Sequence, residues 1–309
     1  LKNRNNPEPV MFASLTRFSR SLLVACSFAS PALAQESLLG GETIPEQAIR
    51  YLSFPSRDGD RPITVAGRLQ MPAERRGPIP AVIVMHGTPG VSLRGVYYAN
   101  ALSRIGVATF EIDQWGARGL AGGPEGRPKS VGETMADVYG AIDRLAAMPE
   151  IDSRRIGILG FSWGGIVAML SATKRYDQLY AAPQRPHLAA AMAFYPVCWG
   201  YNHVPGYAFA DLLPIPVRIV TGDKDDYDDG AEPCRRLVDG LPAEERARVD
   251  LVVYPGAAHA FDGFSPATTH PDPFGHRGKG GPVTMATDPA ARAAAREEVV
   301  RFFTAAFAP

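Results

Sequence analysis

Short apolar runs separated by stretches of helical period dominate the chain from residue 80 onwards. Residues 81–85, Ala-Val-Ile-Val-Met, are apolar without interruption, the pattern of a strand buried on both faces. Residues 107–112, 155–159, 189–195, 216–220 and 250–254 are further runs of strand length. Two earlier segments, 49–55 and 63–71, alternate, and the turn Ser56-Arg57-Asp58-Gly59-Asp60 joins them. Eight strands are therefore predicted.

The helical signals lie between these runs. Val131, Met135, Val138, Tyr139, Ile142 and Leu145 fall on one helical face, and Ser130 with Glu133 has the form of a capping box at its start. Asp288-Pro289 opens a last helix that runs to about residue 307, as an N-cap followed by proline in the first turn. Strands alternating with helices predict an α/β fold, a mostly parallel sheet with helices on both faces. Such sheets bind ligands beyond the carboxyl ends of their strands.

At one such end stands Gly160-Phe161-Ser162-Trp163-Gly164-Gly165. A Gly-x-Ser-x-Gly between strand and helix puts its serine on a tight elbow with the hydroxyl exposed above the sheet. A serine needs a base, and the base needs a carboxylate to hold its tautomer. On this fold the chain order is Ser, acid, His. Of the six histidines only His259, His270 and His276 follow both the serine and the candidate acids. His259 comes directly after the last strand, where a loop can carry its imidazole over Ser162. His270 and His276 lie in a Pro/Gly-rich stretch and read as solvated loop residues. The acid must come from the segment Asp223-Lys224-Asp225-Asp226-Tyr227-Asp228-Asp229. Spacing alone does not choose among its five aspartates, though the Gly-x-x-Asp placement after Gly222 favours Asp225. An oxyanion hole is expected from the backbone N–H of Trp163 and, from the loop after residue 85, that of Thr88. His86 reads as a residue that holds this loop. Trp115 and Arg118 are candidate substrate-binding residues, Arg118 through a bidentate pair with a carboxylate. For both, the alternative is packing or loop anchoring.

Composition narrows the partners. Thirty-two basic residues balance 32 acidic ones, so nothing points to nucleic acid or another polyanion. No His-x-x-x-His, Cys-x-x-Cys, Gly-x-Gly-x-x-Gly or Walker pattern appears, so no metal or cofactor is expected. Met11 begins a short basic stretch, followed by an apolar segment ending Ala32-Leu33-Ala34, the layout of a signal peptide cut after Ala34. Residues 1–34 are thus read as extension and signal, 35–309 as one α/β domain, and the mature protein as periplasmic or secreted. A lipoprotein box ending at Cys26 ranks second. With Cys26 removed, Cys198 and Cys234 remain in an oxidising compartment, and a disulfide between them is expected.

The chain resembles the dienelactone hydrolase family of α/β-hydrolases, in its serine-containing, exported form, over about residues 80–303. The resemblance rests on His86-Gly87, Asp113-Gln114-Trp115-Gly116-Ala117-Arg118-Gly119, the Ser162 elbow, Gly222-Asp223-Lys224-Asp225-Asp226, and Tyr254-Pro255-Gly256 ahead of His259. It implies Ser162, Asp225 and His259 as the triad. Two departures matter: the family's dienelactone hydrolases carry cysteine at the elbow and a glutamate in the oxyanion loop, where this chain has Ser162 and Gly87. A general carboxylic ester or lactone is therefore the expected substrate. A peptidase or acyltransferase on the same triad, and a catalytically silent binding protein, are the alternatives, and retention of all three residues speaks against the last. Connections are too short for a large lid, which points to small soluble substrates.

Overall fold

The computed structural model describes residues 46–308. The expected signal segment, with Cys26 and Ala34, lies outside the described residues. Eight strands form one sheet: β1 (Gln47–Asp58), β2 (Arg61–Pro72), β3 (Ile79–Met85), β4 (Ala108–Asp113), β5 (Ile151–Phe161), β6 (Ala190–Phe194), β7 (Val217–Lys224) and β8 (Val249–Ala258). Their order is β1-β2-β4-β3-β5-β6-β7-β8. β2 runs antiparallel to both neighbours, and β4 through β8 are parallel.

The apolar runs explain the layering. Along β3, Ile83 and Met85 point to one face and Val82 and Val84 to the other, all buried. The first pair joins a core with Val138 and Val167, from helices α2 (Met135–Ala146) and α3 (Trp163–Ser171). The second joins Tyr98 and Leu102 of α1 (Leu93–Arg104) and Phe303 of the C-terminal helix (Pro289–Ala306). Helices thus cover both faces.

Both predicted helix starts are realised. Glu133 Oε1 accepts the Ser130 N–H at 2.9 Å while Ser130 Oγ accepts from Gly132 at 3.2 Å. Asp288 Oδ1 accepts the N–H groups of Ala290 and Ala291, each at 2.9 Å. Among the described residues no helix is long and apolar enough to cross a membrane.

The segment after His259 differs from the expected loop. Thr268–Asp272 and Gly281–Met285, here β9 and β10, pair antiparallel as a separate two-stranded sheet. Its turn is anchored, because His276 Nδ1 pairs with Asp229 at 2.7 Å and His276 Nε2 donates to the Pro282 carbonyl at 2.9 Å. The Asp229 bond raises the His276 pKa above that of a free imidazole. His276 is therefore a structural anchor rather than a solvated loop residue.

One buried acid of the sheet makes stability depend on pH. Burial pushes the Glu111 carboxyl up to about 7 from 4.5, against the lowering pull of Arg68 at 3.7 Å. The folded pKa exceeds the unfolded one, so the unfolded chain loses its proton first as pH rises. Stability should then fall between about pH 4.5 and 7, with a slope of at most about 1.4 kcal/mol per unit from this group. Glu111→Gln is expected to flatten that segment of the curve in urea unfolding across the same window. An unchanged slope would assign the dependence to another group.

Candidate active site

β5 enters the site through an elbow that only small residues permit. A Cβ on Gly164 would run into the Met85 backbone carbonyl, and one on Gly165 would lie 2.7 Å from the Phe194 oxygen. Ser162 itself has φ 51° and ψ −110°, an unfavourable backbone for a residue with a side chain. That conformation costs about 1–3 kcal/mol. Two backbone bonds offset it: Ser162 N–H to the Phe194 carbonyl at 2.9 Å, and Ile166 N–H to the Ser162 carbonyl at 2.9 Å.

The elbow presents the hydroxyl to His259. Ser162 Oγ lies 2.9 Å from His259 Nε2, and His259 Nδ1 lies 2.8 Å from Asp225 Oδ2. Asp225 Oδ1 accepts the Tyr227 N–H at 3.0 Å, so both carboxylate oxygens are engaged. With Asp225 ionised, the arrangement places the proton on Nδ1 and leaves Nε2 to accept from the serine. The imidazole is fully buried between the rings of Tyr195 and Tyr227, at centroid distances of 4.6 and 4.5 Å.

The other four aspartates of the acid loop are all spoken for. Asp223 accepts the Gly256 N–H, and Asp226 accepts that of Thr284 in β10. Asp228 accepts those of Cys198 and Trp199, and Asp229 pairs with His276. Burial and the adjacent Asp225 push the Asp228 carboxyl up. Asp223, Asp226 and Asp228 anchor backbone, and Asp229 anchors the hairpin through His276.

The loop after β3 is held from below. His86 Nδ1 donates to the Gly87 carbonyl at 2.8 Å, and its Nε2 accepts the Gln114 N–H at 3.0 Å. Burial lowers the His86 pKa, which favours this neutral form. The Gly87 carbonyl also takes the Gly90 N–H at 2.9 Å. Across a trans peptide the Thr88 N–H points the opposite way. The Trp163 N–H, first in its helix, has no intrahelical partner. A side chain at Gly87 would crowd the Phe161 carbonyl at 3.1 Å and Ser162 Cβ at 3.4 Å.

Trp115 and Arg118 do not take the substrate-binding places considered for them. Trp115 is buried and its Nε1–H donates to the Thr88 carbonyl at 3.0 Å, bracing the loop. The Arg118 side chain is 2 % exposed and gives its N–H groups to both Asp137 oxygens and to the carbonyls of Gln114, Glu133 and Arg57. The remaining N–H, on Nε, is buried and lies 3.6 Å from Asp58 Oδ1, so none is presented to a substrate carboxylate. Arg94, Arg127 and Lys129 do line the site, and Arg127 reaches Thr88 Oγ1 at 3.2 Å and Asp272 of β9 at 3.3 Å. Tyr227 donates to the same Asp272 at 2.9 Å. The oxyanion loop, the acid loop and the hairpin are thereby tied together.

Behind His259 sits a second network. Asp262 accepts from Tyr98 at 2.9 Å, Tyr195 at 2.6 Å and Arg94 at 2.9 Å. Burial holds both phenols well above their ordinary pKa, so they stay donors. Cys198 and Cys234 are joined in a disulfide with Cα atoms 5.0 Å apart. It spans 36 positions, worth about 3–4 kcal/mol in the chain-entropy account. The same two sulfurs, with Asp228, make the one cluster of metal-ligand spacing among the described residues. Bonded to each other, they are not thiolates.

A sequence profile of the dienelactone hydrolase family matches residues 121–307. The chain belongs to the dienelactone hydrolase family. It is accordingly a hydrolase of the carboxylic ester kind, on an α/β-hydrolase fold. A protein of Methylorubrum extorquens, provisionally named a carboxymethylenebutenolidase, is 28% identical over 274 residues, covering 81% of this chain and 86% of its own. Among solved structures, Est1E from Butyrivibrio proteoclasticus aligns with a TM-score of 0.56 at 17% identity, over 84% of this chain and 99% of its own. The dienelactone hydrolase of Anabaena variabilis aligns at 0.51 with 19% identity, over 83% and 98%. These structural likenesses are of fold.

Proposed function

We propose that this family member cleaves small carboxylic esters or lactones through an acyl-enzyme on Ser162, with His259 as general base and Asp225 as the acid that orients it. The observation that carries the reading is the continuous Ser162–His259–Asp225 hydrogen-bonded chain at the mouth of the elbow. Ser162 Oγ attacks the carbonyl carbon as its proton passes to His259 Nε2. The oxyanion meets the N–H groups of Thr88 and Trp163, and Asp225 stabilises the imidazolium. The imidazolium then protonates the departing alkoxide, and water, activated by the same imidazole, releases the acid.

The serine and Gly87 direct the reading towards general esters rather than dienelactone itself. Export is part of the proposal, supported by the signal-like N-terminal sequence and by a disulfide that needs an oxidising compartment. Incubation with a fluorophosphonate tests the chemistry. One equivalent should add covalently, map to Ser162 by peptide mass and abolish p-nitrophenyl ester turnover. Labelling elsewhere with turnover retained would overturn the assignment.

A further inference from the structure

Ser162 stands where two cavities meet, one of about 490 Å³ and one of about 300 Å³. We infer that they divide the substrate between them, and that the smaller is an acyl chamber fitted to a single planar ring on a short linker. The inference rests on Ser162 and His259 acting as nucleophile and base. Chemistry then sets the direction. The leaving oxygen must collect its proton from His259, and His259 lines the larger cavity with Ala286 and Thr287. The leaving group therefore goes there. Thr88 and Trp163, whose N–H groups face the oxyanion, line the smaller cavity. That cavity is left for the acyl substituent.

Its walls state what it takes. Trp163, Trp199, Tyr207, Tyr227 and Phe274 surround it, with Ile166 one turn beyond the nucleophile. Aromatic walls favour a flat ring through edge and offset contacts. Size gives the same answer: an apolar cavity of about 150 Å³ accepts benzene, so twice that volume holds one ring and a few linker atoms but not a long alkyl chain. The walls are preformed. The Trp199 backbone N–H is fixed to Asp228 at 2.7 Å beside the Cys198–Cys234 bridge, and the Arg127 guanidinium lies over the Phe274 and Trp163 rings at 5.0 and 5.9 Å. Esters of arylalkanoic acids, of the phenylacetyl to phenylpropanoyl kind, match this chamber.

Filling each cavity separately tests the division. A Cβ at Gly200, a chamber residue, would meet Val204 Cγ2 at 3.8 Å, so valine can be placed there and phenylalanine at Ile166. With one leaving group throughout, wild-type kcat/KM should be higher for p-nitrophenyl phenylpropanoate than for the acetate or the dodecanoate. Ile166→Phe and Gly200→Val should each lower the phenylpropanoate-to-acetate ratio by about tenfold or more, the scale on which a pocket discriminates added bulk. Ala286→Phe, on the other side, should instead change discrimination among phenylpropanoate esters of small and large alcohols. Esters turned over with an acyl ratio that ignores both chamber variants, or that follows Ala286→Phe, would overturn the chamber assignment alone. A wild-type enzyme that hydrolyses none of these esters would overturn the underlying ester-hydrolase reading as well.

Discussion

Ser162→Ala is expected to remove ester hydrolysis, with a loss of about a million-fold in kcat, the scale seen when a triad nucleophile is deleted. The fold should survive. What holds the elbow is backbone, through Ser162 N–H to Phe194 and Ile166 N–H to the Ser162 carbonyl, and alanine keeps both. The hydroxyl contributes the bond to His259 Nε2, at 2.9 Å. His259→Ala should be about as damaging, because an alcohol without a base stays protonated at neutral pH. It should cost more in stability, since the buried ring fills the space between Tyr195 and Tyr227. Steady-state kinetics with a p-nitrophenyl ester, and thermal unfolding of each variant, separate the two effects. Wild-type turnover by either variant would place the reactive group elsewhere.

The parts of this molecule legible from sequence are those whose physical cause is local. A run such as Ala81-Val82-Ile83-Val84-Met85 can be buried on both faces only in the middle of a sheet, and it becomes the central β3. The elbow was legible in part for the same reason, since a Cβ on Gly160 would strike the Gly164 carbonyl within the motif, whereas Gly164 and Gly165 are crowded by Met85 of β3 and Phe194 of β6. The β9–β10 hairpin was not. Its strands carry proline and glycine, and its fixing partners, Asp226, Asp229 and Arg127, come from distant loops. Arg118 shows a signal that was present but easy to miss. Asp137 sits beside Val138 within an amphipathic helix, and a buried carboxylate there needs a cation, which Arg118 supplies at 2.8 Å. The Asp262 network was hidden likewise, because Tyr98 and Tyr195 meet it only once the sheet has closed.

Asp225→Asn is expected to lower kcat by about ten-thousand-fold, as when a triad acid loses its charge but keeps its shape. Asp223→Asn and Asp226→Asn should cost little by comparison. The difference lies in how many donors each carboxylate serves. Asp223 and Asp226 each accept one backbone N–H, from Gly256 and Thr284, and an asparagine oxygen can do the same. Asp225 accepts from two sides, His259 Nδ1–H on Oδ2 and Tyr227 N–H on Oδ1. An asparagine has one oxygen for these two donors, so its amide must face one of them. If it faces His259, Nδ1 becomes the acceptor, the proton moves to Nε2, and the imidazole can no longer take the proton of Ser162. If it faces Tyr227, a buried N–H is left opposing an N–H and the imidazolium still lacks its counter-charge. The first outcome removes the base and the second leaves its imidazolium without support, whereas the walls of the two cavities are untouched, so the loss should fall on kcat far more than on KM. Kinetics of the three variants on one ester decide the matter: if Asp223→Asn or Asp226→Asn proves the slower enzyme, the acid of the triad is that residue and not Asp225.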